Sequence, residues 1–233
     1  MIKKPPLNLQ PTTLWDYPSQ HYGDRMQGDR RYIGATPSYI IWNLLTRYTR
    51  EKDLIVDPMC GSGTTIDVAN DMDRDVKGLD IAPFRKDIVK ADARHLPLKN
   101  EDADFVFIDP PYSDHIDYSD EEGCIGQIRA EDPKYFEAMA DVIAEIDRIL
   151  KPKRYMGLYI CDSFKKKSGF VPIGFKIFEI LCRHFIPKEI IAVTRHNKTL
   201  KMGNYRKAAV EGNFYLRGFN YLFIMKKEEQ ASP

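Results

Sequence analysis

The rhythm of apolar and polar positions changes near residue 53. Upstream, residues 1–35 are rich in Pro, Gly, Tyr and Arg and follow no clear period, so they are expected to form an ordered or binding-coupled arm. Thr36-Pro37 has the form of a helix N-cap followed by proline at the first helical position. The spacing of Ile40, Ile41, Leu44, Leu45 and Tyr48 then predicts an amphipathic helix over about 37–50. From Asp53 short apolar runs alternate with helical stretches. Leu54-Ile55-Val56 reads as a buried strand, Gly61-Ser62-Gly63 as a turn, and about 64–72 as a helix. Strands follow at Val76–Leu79, near Ile88-Val89, and at Phe105–Ile108. Phe136, Met139, Ala140, Ile143, Ile146 and Leu150 share one face of a helix over 133–150. A strand at Tyr155–Ile160, a helix at about 171–185, and strands near 189–194 and 220–226 complete the pattern. Such alternation predicts a mostly parallel α/β sheet with helices on both faces. The connection from the 190s to the 220s shows no convincing helix, which leaves the last strand open to an antiparallel placement. The division expected is an arm over 1–35, one domain over 36–227 and a tail over 228–233.

Composition narrows the class. With 43% hydrophobic and 12% aromatic residues, the 233-residue chain can bury a large core and does not read as disordered. Cys60, Cys124, Cys161 and Cys182 form no C-x-x-C pair, so neither a zinc site nor a disulfide framework is expected, and a reduced cytoplasmic setting follows. No apolar run approaches 18 residues, and the start lacks the apolar run of a signal peptide, so no membrane contact is expected. The formal net charge of +1 hides an uneven distribution. Residues 101–147 carry 15 acidic and 2 basic side chains, residues 148–194 carry 10 basic and 3 acidic, and residues 195–227 carry 8 basic and 1 acidic. This asymmetry points either to a polyanion partner or to ordinary solvated surface.

Two motifs carry chemistry. Asp57-Pro58-Met59-Cys60-Gly61-Ser62-Gly63-Thr64-Thr65 follows a buried strand and opens a helix. Its glycines let the backbone turn tightly and approach a ligand, while helix N–H groups face it. Asp80 lies 23 residues after Asp57, at the end of the next strand, where a carboxylate can accept both hydroxyls of a ribose. A phosphate-binding P-loop is excluded because no Gly-Lys-[Ser/Thr] follows. The second motif, Asp109-Pro110-Pro111-Tyr112, comes directly after a strong strand. Two prolines stiffen the turn and remove two N–H donors, leaving the Asp109 carboxylate and the Pro110 carbonyl as acceptors. Those acceptors and the Tyr112 ring suit an amino group on a flat ring. Taken alone, each motif is also compatible with a simple turn.

Together they resemble the cofactor and catalytic motifs of S-adenosylmethionine-dependent amino-methyltransferases of the N-4 cytosine/N-6 adenine type, a Rossmann-like class I fold with a mostly parallel seven-stranded sheet. The likeness runs from about Thr36 to Tyr112, and Gly34-Ala35-Thr36-Pro37 looks like the family's additional cofactor motif. The resemblance implies that Asp57, Met59, Cys60, Gly61, Gly63 and Thr64 border the methionine part of the cofactor. It implies that Asp80 binds the ribose, and that Ile81, Asp92 and Ala93 meet the adenine. Ala35 and Thr36 would close the carboxylate end, and Asp109, Pro110, Pro111 and Tyr112 would hold the target base for a direct transfer. Asp92 also reads as a loop-capping acid, and Cys60 as a small packing residue. No Pro-Cys dipeptide is present, so cysteine attack on a pyrimidine ring is not implied.

Basic runs flank these motifs. Lys165-Lys166-Lys167 and Arg195…Lys198…Lys201…Tyr205-Arg206-Lys207 interleave cations with aromatic and amide side chains, as grooves for single-stranded nucleic acid do. Arg30 and Arg31, with neighbouring tyrosines, make a similar arm. The expected partner is RNA or DNA, with the protein a monomer or weak homodimer. Only the arm and one loop lie outside the expected sheet, which favours a structured RNA that supplies its own shape. The layout looks like small archaeal family members that methylate cytosine N4 in ribosomal RNA. Adenine N6 or cytosine N4 in DNA, guanine N2 in tRNA, and a non-catalytic RNA-binding module are the alternatives. The acidic segment 113–122, directly after the base-holding motif, runs against a polyanion partner.

Overall fold

The computed structural model describes residues 7–112, 119–165 and 169–229. In chain order the elements are β1 (Leu14–Trp15), α1 (Ser38–Tyr48), β2 (Leu54–Asp57), α2 (Thr64–Asp71), β3 (Asp75–Asp80), β4 (Val89–Lys90) and β5 (Ala103–Ile108). There follow α3 (Pro133–Ile149), β6 (Leu150–Ile160), β7 (Ser163–Lys165), β8 (Gly169–Val171), α4 (Ile173–Leu181), β9 (Ile186–Thr194), α5 (Lys198–Lys201), α6 (Gly203–Glu211) and β10 (Phe219–Lys226). One sheet has the order β1-β9-β10-β6-β5-β2-β3-β4, and β7 pairs with β8 in a separate hairpin. All neighbours in the large sheet are parallel except β10, which runs antiparallel to both β6 and β9.

The sheet is buried on both faces, so its central strands read as continuous apolar runs rather than alternations. All six residues of β5 are buried. Its Val106 and Ile108 pack with Met139, Ile143, Ile177 and Leu181 of α3 and α4. Phe105 and Phe107 pack on the opposite face with Ile40, Ile41 and Leu44 of α1 and Val68 of α2. The same alternation divides β10, whose Leu222 and Ile224 join the α1 face while Phe223 and Met225 join the α3–α4 face.

Four expectations change. The sheet has eight strands rather than seven, because Leu14 and Trp15 of the arm pair with Ala192 and Val193 of β9. Thr36 is not the N-cap of α1. Pro37 occupies that position without a side-chain cap, and the Thr36 hydroxyl is spent on Asp109. The helix expected over about 171–185 is shorter, α4 running from Ile173 to Leu181, and an unexpected hairpin of β7 and β8 ends at Val171 just before it. The β9–β10 connection, expected to lack a helix, holds α5 and α6. Only Ala209 of α6 is buried, so that helix carries no apolar stripe for a periodicity reading to find.

Asp57, Asp80, Asp109 and Arg195 all stand at or just beyond the carboxyl ends of parallel strands. Antiparallel β10 brings its amino end, with Asn220, to the same edge. In an open α/β sheet this is the edge that holds ligands.

Candidate active site

The Gly-rich turn is built around two carboxylates, Asp57 buried and Asp80 half-buried. Gly61 and Gly63 have φ of +46° and +80°, the left-handed region that a side chain resists. Asp57 Oδ2 accepts from the Thr65 hydroxyl at 2.5 Å and Oδ1 from the Met59 N–H at 3.1 Å. Burial pushes the Asp57 pKa up to about 7 against those two hydrogen bonds, with the Asp80 charge adding to the rise. Asp80 Oδ2 accepts from the Gly61 N–H at 2.9 Å and Oδ1 from the Ala82 N–H at 3.0 Å, and burial raises its pKa too. Cys60 is buried, and a Cβ on Gly78 would lie 2.7 Å from its sulfur. Burial pushes this thiol well up, away from a nucleophilic form.

Two cavities meet at this turn. The smaller, about 90 Å³, lies between Asp80, Ile81, Asp92, Ala93 and the Gly123–Ile125 segment. Asp92 lines it, yet its oxygens already accept from Arg94 N–H at 2.9 Å, Nε at 2.9 Å and Nη2 at 2.6 Å. Burial works to raise the Asp92 pKa, but these bonds and the Arg94 charge outweigh it and the net shift is downward. Asp92 thus caps its loop, and a ligand amine has to share its oxygens. Arg94 Nη2 also donates to the Gly123 carbonyl at 3.0 Å, tying the far wall of the pocket to the near one.

The larger cavity, about 720 Å³, is bordered by Ala35, Thr36, Asp57, Met59, Cys60, Gly61 and Thr64 on one side and by Asp109, Tyr112, Tyr159, Arg195, Lys201 and Asn220 on the other. The Thr36 hydroxyl donates to Asp109 Oδ2 at 2.6 Å. Burial pushes the Asp109 pKa up to about 7; Thr36 opposes the rise, Asp57 adds to it, and Arg195 opposes it. Pro110 is buried and Pro111 lines the smaller pocket, so the two prolines place Asp109 where both cavities reach it.

Tyr32, Arg195 and Asn220 stand here in roles that the sequence did not indicate. Tyr32 lines both cavities, and its ring stands 2.8 Å from where a Cβ on Gly61 would be. Arg195, an expected nucleic-acid contact, lines the larger cavity; its Nη1 donates to the Cys161 sulfur at 3.1 Å and its charge acts on Asp109 and Tyr112. Asn220 is buried, its amide stands against the Tyr112 hydroxyl, and its Oδ1 has no hydrogen-bond partner. Each is brought in by long-range packing, and no local motif marks it.

The expected nucleic-acid contacts scatter. Arg31 is paired with Asp29 at 2.6 Å, and Lys165 with Glu131 at 3.4 Å. Arg30, Lys201, Tyr205, Arg206 and Lys207 are exposed. Lys166 and the side chain of Lys198 lie outside the described residues. Much of the charge asymmetry along the chain cancels in space. Asp104 meets Lys151 and Arg154, Glu145 meets Arg148, Glu131 meets Lys165, and Asp147 meets Lys227. In the acidic segment, Glu121 pairs with Lys90 at 2.8 Å; residues 113–118 lie outside the described residues.

Residues 3–91 match the N6_N4_Mtase family model, described as DNA methylase. That match takes in the Gly-rich turn and Asp80 and ends before Asp92 and Asp109. No curated protein sequence matches the chain. Similar solved structures include TrmN from Thermus thermophilus, with 16% identity over 84% of this chain and 50% of that one and a TM-score of 0.56. The PH0226 protein from Pyrococcus horikoshii OT3 is 17% identical over 79% of this chain and 86% of that one, with a TM-score of 0.53. A geranyl diphosphate methyltransferase in complex with SAM is 12% identical over 86% of this chain and 96% of that one, with a TM-score of 0.54. The chain spans half the length of TrmN. At these identities the likeness is one of fold. The chain is thus a protein of Rossmann-like methyltransferase fold whose residues 3–91 carry the sequence pattern of the N6_N4_Mtase DNA methylase family.

Proposed function

We propose that this chain transfers a methyl group from S-adenosylmethionine to the exocyclic amine of a nucleobase, with cytosine N4 in ribosomal RNA as the leading substrate. One observation carries the reading. A carboxylate fixed by Thr36 at the end of β5, beside Tyr112, opens into the same cavity as the Gly-rich turn.

The residues present fit the cofactor. Gly61 and Gly63 keep the backbone bare, and each Asp80 oxygen retains a lone pair beyond the one given to a backbone N–H. Asp57, Met59, Cys60, Gly61, Gly63 and Thr64 would hold its methionine part, Asp80 its ribose, Ile81, Asp92 and Ala93 its adenine, and Ala35 and Thr36 its carboxylate end. A ligand that reaches the Gly61 backbone displaces the Tyr32 ring. When bound, S-adenosylmethionine supplies an electrophilic methyl group.

The protein's task is to make a poor nucleophile attack. The lone pair of a base amine is conjugated with its ring. Thr36 engages Asp109 Oδ2 and leaves Oδ1 for one amine hydrogen, while the Pro110 carbonyl takes the other. Held so, the nitrogen becomes pyramidal and its lone pair points away from both acceptors, toward the turn. Tyr112 supports the base face. Positioning and fixed dipoles do the rest, and the nitrogen's surplus proton passes to Asp109 or to water.

Within this chain the segments outside the sheet are short, and a folded RNA that brings its own shape asks least of them. The family description, DNA methylase, favours adenine N6 or cytosine N4 in DNA as the second reading. The test is to incubate the protein with methyl-labelled cofactor and, separately, small-subunit ribosomal RNA and genomic DNA, and to identify labelled nucleosides by mass spectrometry. N4-methylcytosine in the RNA digest is expected. Label confined to DNA moves the assignment to the second reading, and label in no nucleoside overturns it.

A further inference from the structure

Five of the six exposed Phe and Tyr rings among the described residues stand on the stretch from β8 to the start of β10: Phe170, Phe175, Tyr205, Tyr215 and Phe219. Tyr215 is 84% exposed and Phe175 66%. They come from β8, α4, α6, the approach to β10 and its first residue, so only the fold gathers them. Three of these rings, with the backbone of Tyr215, form one ridge around Tyr221 and Arg217. Phe175 and Phe219 both meet Tyr221, at ring-centroid distances of 6.0 and 5.1 Å. Arg217 lies 5.2 Å over the Phe170 ring, donates to the Tyr215 carbonyl, and acts on the Tyr221 hydroxyl, which joins the two halves.

Arg217 has no carboxylate within ion-pair distance among the described residues, and its Nε is buried without a hydrogen-bond partner. A guanidinium left unpaired among aromatic rings is chemistry for an anion carried beside a flat ring. The ridge also adjoins the base cavity. Asn220 enters that cavity, while its neighbours Phe219 and Tyr221 lie on the other face of β10. The Phe219 carbonyl accepts from the Cys161 thiol at 3.4 Å, and that sulfur accepts from Arg195, which lines the cavity.

We propose that this ridge stacks unpaired nucleotides next to the target base, with Arg217 meeting an adjoining phosphate, so that the substrate is single-stranded at the site. The proposal rests on the nucleic-acid reading above and adds the strand state of the substrate. Rings interleaved with an unpaired cation suit a nucleotide chain, whose every base offers a face and every linkage a charge. A second copy of this chain would present the same cationic patch and bury Arg217 without a counter-charge.

Fluorescence anisotropy with the whole protein tests it, using labelled oligouridine, oligothymidine and a duplex of equal length. Both wild-type single strands, or either of them, should bind more tightly than the duplex. Phe170→Ala and Phe175→Ala change exposed side chains, and circular dichroism checks that each folds. Each should weaken single-strand binding by about five- to a hundredfold. The salt dependence should stay unchanged, because a ring releases no counterions. A 2-aminopurine in the strand should be quenched by wild type and less so by Phe175→Ala. Equal affinity for single strand and duplex, or ring variants that bind like wild type, overturns the ridge but leaves the methyltransferase reading standing. A dimer that Phe175→Ala dissociates in sedimentation also overturns it and assigns the patch to a second copy.

Discussion

Asp109 and Asp57 face the same conflict, since each is a carboxylate that burial pushes up to about 7, and each is answered by a neighbouring hydroxyl. Asp57 spends its charge on the turn, through Thr65 and Met59. Asp109 has one oxygen committed to Thr36 and the other free for a substrate. The ionised form is the acceptor, so transfer should be low well below pH 7 and rise to a plateau above it. Thr36 stabilises the charged form, and its loss raises the Asp109 pKa further. Thr36→Val should therefore shift the midpoint of the pH–rate profile upward by about one to two units, the worth of a hydrogen bond to a charged group. Asp109→Ala, the control, should abolish transfer while calorimetry finds cofactor affinity nearly unchanged. A Thr36→Val profile that keeps its midpoint would remove Thr36 from control of Asp109. The carboxylates themselves were legible in the sequence, because each follows a strand that announces itself. Their partners were not. Thr36 lies 73 residues from Asp109 and carried a local reading as a helix cap that the fold overrode.

At the scale of elements, the long strands and the helices that line the core were legible to within a few residues. The elements missed, β1, β7, β8, α5 and α6, are two to four residues long or, as with α6, almost wholly exposed. Helix α6 presents almost every side chain to solvent, and β1 is two residues long, so neither has a period to read. Yet β1 anchors the arm. Trp15 is 2% exposed, and its indole N–H donates to the Thr12 carbonyl at 2.8 Å. Tyr17, Tyr22 and Tyr39 pack beside it. Trp15→Ala should cost about 3–5 kcal/mol and lower Tm by on the order of 10 °C in scanning calorimetry. An unchanged Tm would mean that the arm only rests on the sheet. Since Thr36 reaches the site from the end of this arm, the same variant tests how far arm docking supports the site.

At the scale of the molecule, the net charge of +1 conceals two kinds of cation. Those on β6 and nearby neutralise carboxylates of the preceding segment, because β5 and β6 are neighbours and their charged residues meet across the sheet edge. Others, including Lys201 and Arg206, have no such partner among the described residues and stand close to the large cavity or on the helix after it. If these meet phosphates, replacing Lys201 and Arg206, together with the exposed Lys207 that stands 3.7 Å from Glu211, by glutamine should weaken RNA binding. It should also reduce the slope of log affinity against log salt by about two to three. A slope equal to that of wild type would take the β9–β10 connection out of the interface.

The sequence by itself determined the α/β alternation, the Gly-rich turn and the carboxylates at strand ends, because these follow from local rules: apolar runs, glycines that permit positive φ, and acids placed where strands stop. Only the tertiary structure decided which charges cancel, that Thr36 serves Asp109 rather than a helix, and that Arg217 and its rings form one surface. Those outcomes depend on which strands become neighbours and on how far burial raises the cost of a charge, and neither is a property of residues adjacent in the chain.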